Sequence, residues 1–361
     1  MPANQKSRLG NFDTLRLVFA VLVILSHSYP VASNSYAKEP LVRLTGGQIT
    51  FGDVGVWAFF VISGFLITQS WFRSPKPLNY LWRRIARIYP GFIVVTLIGA
   101  YVIVPLAADR ATYHSISLPV LLVQTALLFG YSGPPIFVHN PFPNILNGSL
   151  WSIPFEFRCY IGVMVLGLMR VLRLRWILVA LDAAVIGIRL YLSITGWSPE
   201  SKLFSFVFGT PTTWATVLPF FLAGMLFYSF GGAAMIRKPY LIFSAVVLVG
   251  SLFLPSGYIV TFPTCGAYLL FGLAYWPRLN PIHLGRYGDF SYGTYLYAFP
   301  VQQMIMMHAG GTMAPLTLFL IATPISIFLG ALSWFLVERH FLARTSVLRH
   351  ESVAVQSAQG A

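Results

Sequence analysis

Two side chains in the first apolar stretch, "DTLRLVFAVLVILSHSYP", are of types that a membrane helix rarely carries without a task. Arg16 and His27 are eleven residues apart. On an α-helix this spacing turns through about 1100°, so both side chains share one face, roughly 16 Å apart along the axis. A guanidinium suits a phosphate and a neutral imidazole suits a general base, which predicts a ligand shaped like a coenzyme A thioester. The simpler alternative is that Arg16 snorkels to the interface and His27 bonds to a neighbouring helix.

Two carboxylates near the outer ends of other apolar stretches are candidates to orient this histidine. Asp53 opens "FGDVGVWAFFVISGFLIT", and Glu156 lies in the first turns of "GSLWSIPFEFRCY". We expect Glu156, which is deeper in its helix, or Asp53 to stabilise protonated His27. Asp53 could equally cap its own helix. The residues expected to line the entry to this site are Ser149, Trp151 and Ser152, although Trp151 alone is typical of a membrane interface.

A basic segment, "RSPKPLNYLWRRIARIYP", follows the second apolar stretch. Arg84 and Arg87 are three residues apart and share one face of the helix that starts there. We expect them to bind phosphates together with Arg16 at the inner rim. Anchoring at the inner membrane surface is the alternative for such residues.

The composition identifies the class of protein that must position these groups. Of 361 residues, 57% are hydrophobic and only 9% are charged, whereas soluble domains have about a quarter charged residues. The chain is therefore predicted to be an all-α polytopic membrane protein. The net charge of +14 does not indicate nucleic-acid binding, because the basic residues lie in short blocks between apolar stretches.

The apolar stretches predict ten transmembrane helices with both termini in the cytoplasm, since most lysines and arginines then lie inside. Ser63 and Gly64 in the second stretch permit close helix contact. The shorter run 117–131 is interpreted as re-entrant or interfacial. The predicted spans are 12–30, 53–71, 88–106, 151–169, 176–194, 211–230, 239–254, 258–276, 287–308 and 314–337.

The ten spans are expected to form one domain over residues 1–345, followed by a polar cytoplasmic tail, 346–361. The extracytoplasmic segment 107–150 is long enough for a lid or an acceptor-binding surface. A cleaved signal peptide over 6–33 is the weaker interpretation of the N-terminus. No pair of histidines has metal-ligand spacing, so we expect no metal. The sequence does not indicate an oligomeric state.

Five blocks together resemble the membrane acyltransferase 3 family, bacterial O-acyltransferases that modify surface sugars. In order, they are "FDTLRLVFAVLVILSH", "GVWAFFVISGFLIT", "RRIARIYP", "GSLWSIPFEF" and "FSYGTYLYAFP". The resemblance implies ten spans, a cytoplasmic acyl-CoA donor, with acetyl-CoA as the default, and a sugar hydroxyl as acceptor. It maps the family's essential arginine and histidine onto Arg16 and His27, and its inner-loop arginines onto Arg84 and Arg87.

This sequence departs from the family's pattern in two places, and the family's properties that depend on them are not expected here. The tyrosine-rich block often ends in a histidine, but Ala298 stands there, so a second imidazole is not expected. We also expect no esterase-like domain such as the one that is fused to some members.

We therefore expect an O-acyltransferase of the bacterial cytoplasmic membrane, acting on an exported or cell-surface carbohydrate such as exopolysaccharide or lipopolysaccharide. His27 acts as general base or forms a transient acyl-histidine. The main alternative is a transporter or flippase for a glycan or acyl carrier, against which the halves show no paired, interrupted helices. A structural partner in a polysaccharide-export complex would leave the Arg16–His27 spacing unexplained.

Overall fold

The computed structural model describes residues 11–109, 117–130, 133–199, 204–205, 208–276 and 287–343. Within these ranges the chain is helical and has no β-strand, which confirms the all-α class. Ten helices of the described ranges overlap the ten predicted spans, although the third, Pro77–Ile98, begins well before its predicted span. They are α1 Phe12–Ser33, α2 Phe51–Arg73, α3 Pro77–Ile98, α4 Ile153–Leu168, α5 Arg175–Thr195, α6 Pro211–Ser229, α7 Lys238–Ser251, α8 Tyr258–Ala274, α9 Ser291–His308 and α10 Pro315–Ser333.

Several of these helices are lengthened by irregular turns. A π-turn, Gly99–Ile103, and the turn Val104–Ala107 continue α3, and the π-turn Trp334–Glu338 continues α10. A 3-10 turn, Leu150–Ser152, leads into α4. A further π-turn, Phe262–Gly266, lies inside α8.

Seven helices of the described residues are long and apolar enough to cross a membrane. They are α1 to α6 and α10. The irregular turns that lengthen α3, α4 and α10 are counted with those helices. The helices α7 and α8 are apolar but shorter. The chain is thus a multi-pass membrane protein, while the count of ten spans stays a prediction.

The run that we interpreted as re-entrant or interfacial contains a short helix, Leu118–Ala126, of nine residues. A helix of that length extends about 14 Å and is too short for a bilayer core of about 30 Å. The other short helix, Pro40–Leu44, precedes α2. Both termini, including the predicted tail 346–361, lie outside the described residues, and their cytoplasmic location stays a prediction.

Contacts divide the chain into two compact units. The first unit comprises Met1–Ser26, Ser35–Pro75 and Arg158–Tyr287. The second unit comprises His27–Asn34, Lys76–Phe157 and Gly288–Ala361. The single transmembrane domain over residues 1–345 stays a prediction.

In the first unit, α2 and α6 cross with their backbones almost touching. A Cβ atom added to Gly64 would lie 2.0 Å from the Phe221 carbonyl oxygen, and one added to Gly224 would lie 2.0 Å from the Val61 carbonyl oxygen. The expectation that Gly64 permits close helix contact is confirmed. The two glycines face each other's helices, so neither helix can move away from one new methyl group without losing the packing around the other glycine.

We expect Gly64→Ala to destabilise the protein by about 1–3 kcal/mol or more, because the added methyl group overlaps backbone rather than a flexible side chain. The measurement is the thermal unfolding of the purified protein in detergent. Gly187→Ala is the matched control, since a Cβ there meets nothing within 4 Å. Equal unfolding temperatures for the two variants would contradict the close crossing.

In the second unit, α9 packs on α10 and on α3. Gly293 and Gly330 allow α9 and α10 to approach, since a Cβ on Gly293 would lie 2.8 Å from the Gly330 Cα. The end of α1 joins the same unit through a buried cluster, which consists of Val31, Phe299, Met306 and Leu318. This packing brings the last turns of α1, and His27 with them, beside α9.

Candidate active site

His27 lies in the second unit, one turn before Pro30 of α1, and is half-buried. Its Nδ1 atom is 3.5 Å from the Ser149 Oγ atom. The Phe299 ring meets the imidazole edge-on, with ring centroids 5.2 Å apart. The predicted histidine and one of the predicted lining serines are thus neighbours, at the outer limit of hydrogen-bond distance.

The turn before α4 is held rigidly where it meets His27. Tyr295 donates its hydroxyl proton to the Ser149 carbonyl oxygen at 2.6 Å, and Ser152 bonds to the same tyrosine hydroxyl at 2.8 Å. Asn147 accepts the Ser149 N–H at 3.1 Å and donates to the Leu296 carbonyl oxygen at 2.8 Å. Four hydrogen bonds therefore fix the backbone that carries the Ser149 hydroxyl.

Gly148 explains why this turn can come so close to α9. A Cβ atom at Gly148 would lie 2.7 Å from an edge carbon of the Phe299 ring. The same ring packs against His27, so a larger residue at position 148 would press on the imidazole. Sequence reasoning singled out neither Asn147 nor Tyr295, although both lie beside or within the quoted blocks.

Glu156 lies in the first turn of α4, close enough to Tyr295 for the two side chains to interact electrostatically. Among the described residues, the hydrogen bond of the His27 ring goes to Ser149 and not to Glu156. The orienting role of Glu156 stays a prediction. Trp151 is 42% exposed and meets Phe155 edge-on, which fits an interfacial tryptophan.

Asp53, in the first unit, closes a capping box at the start of α2. It accepts the Thr50 N–H at 2.9 Å, and the Thr50 hydroxyl accepts the Asp53 N–H at 2.9 Å. The capping residue is thus Thr50, with Asp53 as its reciprocal partner, which gives Asp53 a structural task at this end of the helix. Its predicted part in orienting His27 stays a prediction.

A carboxylate that sequence reasoning did not single out lies beside this capping box. Glu39 is fully buried and accepts the Phe51 N–H at 2.7 Å. Burial raises the pKa of Glu39, and burial also raises the pKa of nearby Tyr36 to about 12. The sequence gives little indication that Glu39 is buried, since it is a single acidic residue in a segment between two apolar stretches.

Arg16 is half-buried on α1, and the helix is unbroken between Arg16 and His27. An unbroken helix is what the predicted shared face of Arg16 and His27 requires. Arg84, in the second unit, lies over the Tyr80 ring at 5.6 Å. The contacts of both guanidinium groups with phosphate stay a prediction.

Arg87 is held differently, by two carboxylates. It forms an ion pair with Asp289 and approaches the Glu338 carboxylate at 3.5 Å, where Glu338 is 1% exposed. The Tyr292 ring lies 5.6 Å from the guanidinium and the Trp334 ring lies 6.0 Å away. Its charge is thus compensated within the protein, which favours a structural role over the predicted phosphate contact.

Asp289 also joins this arrangement to α9, because it accepts the Ser291 N–H at 3.1 Å. Sequence reasoning assigned no role to Glu338 and did not single out Asp289. Within the described residues, no group of three or more His, Cys, Asp or Glu side chains could hold a metal ion. The expectation of no metal stays a prediction.

Comparison with known proteins places these residues in a family. The family model described as "Acyltransferase domain" matches residues 9–335. An O-acetyl transferase of Shigella phage Sf6 is 30% identical over 355 residues, which cover 93% of this chain and 96% of the relative.

Two other relatives match parts of the chain. Nodulation protein 10 of Rhizobium leguminosarum bv. viciae is 36% identical over 26% of this chain and 25% of its own length. The acyltransferase MdmB of Streptomyces mycarofaciens is 29% identical over 43% of this chain and 38% of its own length. No solved structure matches the chain significantly.

Proposed function

Because this chain belongs to the acyltransferase family whose model spans nearly its whole length, and is an acyltransferase, we propose that it moves an acetyl group from acetyl-CoA to a hydroxyl of an exported or cell-surface carbohydrate. The observation that carries this proposal is the His27–Ser149 pair at the end of α1. In this pair the His27 imidazole is the proton acceptor, and Ser149, whose backbone is held by hydrogen bonds, orients it.

Ser149 determines which imidazole nitrogen is the base. With Nδ1 protonated and donating to Ser149 Oγ, Nε2 keeps its lone pair and accepts the proton of the acceptor hydroxyl. The hydroxyl oxygen attacks the thioester carbonyl, and the C–S bond then breaks. The leaving sulfur takes the proton from the imidazolium, so coenzyme A departs as the thiol.

The donor's phosphates are proposed to contact Arg16 and Arg84. A guanidinium offers a planar set of donors to phosphate oxygens and keeps its charge at all working pH values. We leave Arg87 out of this set, since Asp289 and Glu338 already compensate its charge. The bacterial cytoplasmic membrane is the proposed location, with acetyl-CoA supplied from the cytoplasm.

The Sf6 relative is named an O-acetyl transferase, and the Streptomyces relative is named an acyltransferase. These names support acyl transfer over the transporter or flippase alternative. The carbohydrate nature of the acceptor comes from the resemblance of the five sequence blocks.

The direct test is to compare surface glycans of cells with and without the gene by mass spectrometry, and to repeat the reaction with purified protein and isotope-labelled acetyl-CoA. We expect an acetyl ester that depends on the gene and carries the label. Glycans that are identical in both strains, or an ester that never contains label from acetyl-CoA, would contradict the proposal.

The Ser149 hydroxyl should contribute to the rate of acetyl transfer about as much free energy as one neutral hydrogen bond. We expect Ser149→Ala to lower kcat about fivefold, which corresponds to about 1 kcal/mol, and to leave the KM for acetyl-CoA unchanged. Ser326→Ala in α10 is the control, because the Ser326 hydroxyl donates to the Ala322 carbonyl oxygen of its own helix. A Ser149→Ala variant with unchanged kcat would show that this hydroxyl does not orient His27.

A further inference from the structure

An acidic residue that the proposed chemistry does not use, Asp182, lines a cavity in the membrane-spanning part of the first unit. Asp182 lies on α5, seven residues after the helix begins, and is 7% exposed. The cavity has a volume of about 190 Å³, and its walls come mainly from α5, α6 and α8. The lining residues on which the argument depends are Asp182, Phe227, Phe230, Thr264, Tyr268 and Phe271.

The Asp182 carboxylate has no partner among the residues that the structure describes, and its Oδ1 atom is buried. Arg189 lies seven residues farther along the same face of α5, roughly 10 Å along the axis. The Arg189 guanidinium instead lies over the Trp57 and Tyr258 rings, at 5.3 and 5.4 Å. A buried polar group without a partner is costly, and an ionisable residue in a membrane helix usually marks a functional site.

The two hydroxyl groups of α8 that line the cavity do not compensate this carboxylate. Thr264 donates its hydroxyl proton to the Val260 carbonyl oxygen at 2.6 Å. Tyr268 donates its hydroxyl proton to the Met235 carbonyl oxygen at 2.9 Å. A ligand that stabilises Asp182 must therefore bring its own hydrogen-bond donor or positive charge.

Aromatic rings form much of the remaining wall and identify the kind of cation. Phe227 stacks on Phe271 with centroids 3.8 Å apart, and Tyr268 meets Phe227 edge-on at 6.5 Å. Phe230 also lines the cavity. Aromatic faces attract organic ammonium groups, whereas a hard metal ion requires several oxygen ligands. One carboxylate beside aromatic rings thus favours an organic ammonium group over a metal ion.

We propose that this cavity binds the ammonium group of phosphatidylethanolamine from the surrounding bilayer, with the ammonium donating to the Asp182 carboxylate. A lipid is favoured over a water-soluble amine because α5 is the least buried of the seven long helices, with 17% of its apolar window buried. Exposed Arg237, whose N–H donates to the Tyr268 hydroxyl at 2.9 Å, supplies a cation near the cavity for the lipid phosphate. This inference goes beyond the proposed acetyl transfer and does not depend on it.

The test measures the Kd of phosphatidylethanolamine for the purified full chain in detergent by native mass spectrometry. We expect Asp182→Asn to raise this Kd about tenfold, because the amide keeps the shape of the side chain and removes its charge. Asp109→Asn is the matched control, since Asp109 belongs to the second unit and does not line the cavity. Its Kd should stay at the wild-type value.

A second variant keeps the carboxylate and fills the cavity. Thr264 is exposed and lines the cavity, so Thr264→Leu places a larger apolar side chain there without changing any charge. We expect this variant to raise the Kd about tenfold as well. It also tests the site if Asp182→Asn fails to fold.

Two further ligands test the chemistry and the source of the ammonium group. Phosphatidylcholine has the same net charge, but its methylated ammonium group cannot donate a hydrogen bond, so it should bind the wild-type protein about tenfold more weakly. Glycerophosphoethanolamine, the headgroup without acyl chains, should bind more weakly too. The inference would be overturned by equal Kd values for the two lipids, by a Kd that neither cavity variant alters, or by equal affinity for the headgroup alone.

Discussion

Replacing His27 by alanine is expected to lower the rate of acetyl transfer by about 10²–10⁴-fold, the usual contribution of a general base. The imidazole is the one proton acceptor that the described structure places beside Ser149 at the end of α1. The measurement is the acetyl content of surface glycans in cells that carry the variant at the wild-type protein level.

Two comparisons separate lost chemistry from lost structure. His27→Gln keeps a side chain of similar reach that can still bond to Ser149, and it should be as inactive as the alanine variant. His308→Ala is the control, because His308 lies exposed at the end of α9 and bonds only to the Met304 carbonyl oxygen of its own helix. Wild-type acetylation in either His27 variant would contradict the assignment of the base.

Removing the Arg87 side chain is expected to unfold much of the second unit rather than to weaken donor binding selectively. Arg87→Ala would leave the Glu338 carboxylate buried without its cation, and breaking a buried ion pair from one side costs about 3–5 kcal/mol. The measurement is thermal unfolding of the purified protein, read together with the amount that reaches the membrane.

A double variant tests the pair directly. Arg87→Gln combined with Glu338→Gln removes both charges while keeping groups that can hydrogen-bond, so it should recover most of the stability lost in Arg87→Gln alone. An Arg87→Ala protein of unchanged stability and strongly reduced affinity for acetyl-CoA would instead support the phosphate contact predicted from the sequence.

The helical segments could be predicted from the sequence because each apolar run is long and bounded by charges or prolines. α1 illustrates this, since one apolar run sets both its length and the separation of Arg16 and His27. The exact number of spans could not be settled, because helices such as α7 and α8 are apolar but short. The start of α3 was placed too late, since the helix begins at Pro77 and its first turns carry basic residues that lie before the predicted span 88–106.

The partners of the site residues were harder to predict than the residues themselves. Ser149 and His27 are separated by 122 positions, and Arg87 and Asp289 by 202, so no local periodicity relates them. A carboxylate was expected to orient the imidazole on chemical grounds, but that the Ser149 hydroxyl lies beside Nδ1 depends on the path of the turn before α4, which the sequence does not show. The basic pattern around Arg87 correctly indicated positive charge, but it could not reveal the two acids that compensate it.

The proton acceptor is the centre of this account, and single-turnover transfer tests it most directly. Purified wild-type and His27→Gln proteins would be mixed with labelled acetyl-CoA and an acceptor glycan, and the labelled ester would be quantified after rapid quenching. We predict that both proteins bind acetyl-CoA with the same affinity, while ester formation in His27→Gln is slower by about 10² or more. Equal rates of ester formation in the two proteins would contradict the account.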